Sequence, residues 1–96
     1  GRICYVGSND YYIIYTNHYS YSIIESTASL SEGDVVYGDV DSFGLVDLYK
    51  GVGDELTSTH IEENLMSKET AFEWMGKNKK LNYYDQQSFD NAQASN

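Results

Sequence analysis

Short runs of β-branched and aromatic residues, broken by Gly, Asn, Asp and Ser turns at intervals of roughly eight to twelve residues and followed by one helical pattern, predict a mainly β protein. The expected architecture is a small five- or six-stranded antiparallel barrel or rolled sheet with one short C-terminal helix. With 96 residues and 41% apolar content, the chain supports one core and no second. The β domain is expected over residues 1–76, including a helix over 67–76, with 77–96 a polar C-terminal arm or tail.

Residues 2–6 are a short, mostly apolar run, and Gly7-Ser8-Asn9-Asp10 then supplies side chains that tolerate left-handed backbone. A strand and a turn follow from that. Residues 11–16 are aromatic or β-branched throughout, Asn17-His18 can close a hairpin, and in 19–25 Tyr19, Tyr21 and Ile23 alternate with Ser20, Ser22 and Ile24. The result is a three-stranded meander whose third strand turns a bulky face to a core and a partly serine face to water. After a polar loop, Gly33-Asp34 introduces Val35-Val36-Tyr37, and Gly38 marks a bulge or bend before Val40. Asp41-Ser42-Phe43-Gly44 and Gly51-Val52-Gly53-Asp54 read as turns on either side of a strand at 45–49, with a weaker strand near 56–61. Ser67 is a good N-cap, Glu69 suits the first helical turn, Ala71, Phe72 and Met75 form an apolar stripe, and Gly76 is the expected stop.

The stretch Glu32-Gly33-Asp34-Val35-Val36-Tyr37-Gly38-Asp39-Val40, followed by Phe43-Gly44, resembles the glycine-punctuated strand pair of S1-type oligonucleotide-binding barrels. The resemblance covers about a dozen residues and implies an OB-like or SH3-like barrel. It implies no nucleic-acid chemistry, because Asp39, Asp41 and Asp47 stand where that family usually offers bases.

Charge narrows the partners further. The net charge is −9, and ten carboxylates (Glu25, Glu32, Asp34, Asp39, Asp41, Asp47, Asp54, Glu55, Glu62 and Glu63) share a stretch whose only strong base is Lys50. Such a surface repels nucleic acid and anionic membrane. No run approaches the roughly 18 apolar residues of a membrane span, and no signal peptide is evident, so a soluble protein is expected. The single cysteine, Cys4, cannot make an internal disulfide, which leans towards a cytoplasmic location.

Catalytic and metal motifs are weak. Asp39-Val40-Asp41-Ser42-Phe43-Gly44 begins like a calcium loop but places Phe43 at the fifth position and Lys50 at the twelfth, so solvated turn aspartates are expected instead. His60 and Glu62 would share a strand face, but a third metal ligand must come from elsewhere, and no metal or cofactor is expected. Cys4 reads as a small buried hydrophobe, and no nucleophile elbow, phosphate cradle or HExxH is present.

The ten tyrosines are more informative. Tyr11, Tyr12, Tyr15, Tyr19 and Tyr21 crowd adjacent strands, and alternation prevents all of them from facing one core. Some are expected to form an exposed strip suited to a protein partner or to self-association. A non-enzymatic, acidic protein-binding module is therefore the leading expectation. The alternatives are a DNA mimic, presenting Glu32, Asp34, Asp39, Asp41, Asp47, Asp54 and Glu55 along one face, and a small hydrolase-like or metal-dependent enzyme built on His60.

Overall fold

A computed structural model describes residues 1–40, 42–50, 55–56 and 59–94. The expected turn at 51–54, together with Asp41 and Asp54, lies outside the described residues. Strands β1 (Arg2–Val6), β2 (Tyr11–Tyr15) and β3 (Tyr21–Glu25) form the expected antiparallel meander. Asn9 and Asp10 both take positive φ, 55° and 66°, in the turn between β1 and β2, so the Asn-Asp pair sits where a tight hairpin needs left-handed residues. The second connection is wider than a two-residue turn. Thr16 and Ser20 close it through backbone and hydroxyl bonds, and Tyr19 occupies the left-handed position at φ 61°.

The next strands depart from expectation. β4 (Val36–Tyr37), β5 (Gly44–Leu45) and β6 (Tyr49–Lys50) are two residues each, and the long final strand β7 (His60–Met66) starts later than 56–61. The main sheet runs β1-β2-β3-β7-β5, with β4 and β6 in a separate two-stranded sheet. Among the described residues it does not close into a barrel. Instead the 33–36 segment straps the outer edge of β1, with Ile3 donating to the Asp34 carbonyl (2.8 Å), Gly33 to Ile3 (2.7 Å) and Val36 to Gly1 (2.8 Å). Those bonds satisfy an edge that would otherwise be open to another chain. Gly38, at φ 130°, ends β4 against Leu48, where an added Cβ would meet the Leu48 Cδ2 at 2.7 Å.

Both faces of the main sheet are covered, which corrects the expectation of a solvated serine face on β3. Alternation sends Ile3, Tyr12, Ile14, Ile24 and Ile61 to one core, closed by Leu30, Val36, Val40 and Leu48. The opposite set, Tyr11, Ile13 and Ile23, packs against Ala71, Met75 and Leu81. Ser22 is fully buried and donates to the Val40 carbonyl at 2.7 Å, while the buried Ser26 and Thr59 hydroxyls bond each other at 2.9 Å. No buried hydroxyl of this group is left without a partner, as burial demands.

Among the described residues two helices form, not one. α1 (Lys68–Lys77) is capped as expected by Ser67, whose Oγ accepts from the Thr70 N–H at 3.1 Å. Gly76, expected as its stop, lies inside it and is buried. The actual stop is Asn78 with Lys79 left-handed at φ 60°, and Lys80 N–H bonds the Met75 carbonyl while Lys79 N–H bonds that of Gly76. The expected arm contains α2 (Tyr83–Ala94), started by Asn82, whose Oδ1 accepts from Asp85 N–H at 2.9 Å. Tyr5 anchors it: the phenol donates to Asp85 (2.7 Å) and accepts from Asn82 N–H (3.0 Å). Phe89 then packs over Gly76, where the missing Cβ leaves room for the ring. Among the described residues, no helix is long and apolar enough to cross a membrane.

Candidate functional site

The sheet divides the five tyrosines by pleat and position. Tyr11 and Tyr12 are buried in opposite cores, so they leave the expected exposed strip. The reason is that β2 is covered on both faces, and a strand in that position reads as a continuous bulky run. Tyr12 is also committed by its hydroxyl, which donates to the Ala28 carbonyl at 3.0 Å and accepts from Leu30 N–H at 3.3 Å.

Tyr15, Tyr19 and Tyr21 remain together at one end of the sheet. Tyr15 and Tyr21 are cross-strand partners with ring centroids 4.9 Å apart, and Met66 is the next partner of Tyr21. Tyr19, in the turn that joins their strands, is 85% exposed. Leu65, beside Met66, is 68% exposed and held at φ 54°. The Asn64 amide donates to the Ser42 carbonyl, bringing the segment with exposed Phe43 towards the same end of β7. Exposed aromatic and aliphatic side chains thus concentrate at this end of the strands.

The acidic residues are less uniform. Glu32, Asp39, Asp47 and Glu55 are exposed. Asp34 is tied inward, accepting from Ser31 N–H at 2.8 Å and pairing with Lys50 at 3.3 Å. The Ser31 bond, followed by Lys50, holds its carboxyl below the usual aspartate range. Asp39 accepts from the Ser42 hydroxyl, so part of the interrupted calcium pattern serves as turn chemistry.

Strand pairing gives His60 and Glu62 a companion that sequence spacing did not reveal. Glu25 is its cross-strand partner on β3, and Glu62 lies two residues along β7 on the same face. One potential ligand atom from each of Glu25, His60 and Glu62 lies within 4.8 Å of the other two. His60 Nδ1 is 3.1 Å from Glu62 Oε1, and the Tyr11 hydroxyl donates to that same oxygen at 3.2 Å. Tyr11 is fixed by stacking on Trp74, with centroids 5.9 Å apart. Burial first, then the charges of Glu62 and Glu25, pushes the Tyr11 phenol up to about 12, so it stays a proton donor.

Cys4 is half-buried, and its thiol donates to the Ile13 carbonyl at 3.4 Å. Burial pushes the thiol up, away from thiolate chemistry. A surface cleft of about 380 Å³ beside α2 is lined by Ser8, Lys79, Leu81, Tyr83, Gln86 and Asp90 among others. Its two charges neutralise each other, with Lys79 Nζ 2.6 Å from Asp90 Oδ1.

Comparison of the chain with protein-family models, with curated proteins and with solved structures finds no match, so its functional reading rests on this geometry.

Proposed function

We propose that the protein is a non-enzymatic binding module that captures a protein partner, or a second copy of itself, through the Tyr15, Tyr19 and Tyr21 end of its sheet. The observation that carries this reading is the exposure of Tyr19 and Leu65 beside the Tyr15–Tyr21 pair. Aromatic side chains supply large contact area at low entropy cost, and their enrichment marks interface cores. The chain carries a net charge of −9, so a partner apolar at its centre and basic at its rim complements it.

The test immobilises the protein, washes captured partners with rising salt, and measures light scattering of the free protein across concentration. A partner or dimer that survives high salt and is lost in the Tyr15→Ala/Tyr19→Ala double variant supports the aromatic contact. Release at modest salt, unchanged by that variant, overturns it in favour of carboxylate-led capture of the kind a DNA mimic makes.

A further inference from the structure

We propose that Glu25, His60 and Glu62 bind a single Zn²⁺ ion on the helix-covered face of the sheet. The three side chains come from adjacent paired strands, so the backbone ladder holds their Cα atoms in place before any ion arrives. One imidazole nitrogen and two carboxylate oxygens are a donor set zinc accepts, and zinc imposes little geometric demand of its own. In a tetrahedral site with bonds of about 2.0–2.1 Å, ligand atoms stand about 3.4 Å apart. The present spacing, all within 4.8 Å, therefore closes with shifts of about an ångström in side chains that are only partly buried. His60 and Glu62 already approach to 3.1 Å. With the ring hydrogen carried on Nε2, Nδ1 presents a lone pair to an ion seated between it and the carboxylate.

Electrostatics supply the second argument. Among the described residues, neither Glu25 nor Glu62 is ion-paired with a lysine or arginine. The nearby cation, Lys80, stands instead over the Tyr11 ring, 4.6 Å from its centroid. Two converging carboxylates thus lack a compensating strong base, and a divalent ion balances them. Tyr11 completes the arrangement from outside the ligand set. Its hydroxyl orients the Glu62 carboxylate through the free oxygen lone pair, as groups behind metal ligands commonly do. With side-chain exposures of 39% for His60 and 27% for Glu62, the fourth zinc position opens to water.

The experiment titrates the intact, metal-free protein with zinc chloride in a calorimeter, and with Co²⁺ followed by its visible absorption. One ion per chain is expected, with the intense Co²⁺ bands of a four-coordinate site and a zinc-dependent rise in the unfolding midpoint. Glu25→Gln and His60→Ala should each weaken binding by about tenfold or more, and Tyr11→Phe by about tenfold. His18→Ala, which removes the only other imidazole, should leave it unchanged. Absence of saturable binding overturns the proposal, as does binding that survives Glu25→Gln or is lost with His18→Ala. Glu25→Gln keeps side-chain shape on a partly exposed residue, so the test stands even if His60→Ala fails to fold.

Discussion

Gly76→Ala sets two effects of opposite sign against each other. Within a helix, alanine is favoured over glycine by about 1 kcal/mol, which on an isolated α1 would be pure gain. Here the added Cβ would stand 2.5 Å from Phe89 Cδ2, 2.6 Å from Cε2 and 2.7 Å from Cγ. Carbon atoms rest about 3.5–4.0 Å apart, so the ring must withdraw by about an ångström. Phe89 belongs to α2, whose register is also held by the Gln86 side-chain bond to the Gly76 carbonyl (2.9 Å) and by Tyr5 at its start. The ring therefore cannot retreat without disturbing those bonds. Overpacking of this kind costs about 1–3 kcal/mol, and after the helix gain the expected net loss is about 1 kcal/mol. In a Phe89→Ala background the obstacle is gone, and Gly76→Ala should stabilise by about 1 kcal/mol. The coupling between the sites is then about 2 kcal/mol. Urea unfolding followed by Trp74 fluorescence measures all four corners of the cycle. The reasoning is refuted if Gly76→Ala stabilises the otherwise unaltered protein, or if its effect is the same in both backgrounds.

Two further outcomes follow from the geometry. Ser67→Ala removes the acceptor for Thr70 N–H and should cost about 1 kcal/mol, seen as a fall of about 4–8 °C in the thermal midpoint; no fall would mean that Thr70 is satisfied otherwise. Tyr5 and Tyr11 are both pushed up to about 12, burial being the first cause in each. An unfolded chain loses those phenolic protons near pH 10, so between about 10 and 12 the folded state holds more protons and stability falls as pH rises. Stability from these groups is complete below about pH 10. Alkaline titration should therefore show unfolding by circular dichroism together with the late tyrosinate absorbance, and two phenols ionising early in a still-folded chain would contradict it.

How much of this was legible depended on the range of the interaction. The Asn9-Asp10 turn, the β1–β2–β3 meander and the Ser67 cap are all decided by neighbours in sequence, and all were readable there. The second helix was also signalled locally, by Asn82 three residues before Asp85, but the Asn, Gln and Ser of that segment obscured it. Its stability is tertiary: α2 buries no residue completely and depends on Tyr5 and the bare backbone of Gly76. The unbroken Tyr11–Tyr15 run was the sign of a strand covered on both faces, yet periodicity alone cannot distinguish that from an exposed aromatic strip.

Sequence by itself determined the β-rich class, the turn at 7–10, the start of the first helix and the acidic balance, because propensity, capping and charge act over a few residues. Tertiary structure decided which tyrosines reach solvent, whether Gly76 stops a helix or seats one, and that Glu25 meets His60 across 35 residues of chain. Those outcomes depend on strand pairing and on what covers each face of the sheet. Pairing is selected by the summed packing of many distant residues, so no local pattern carries it.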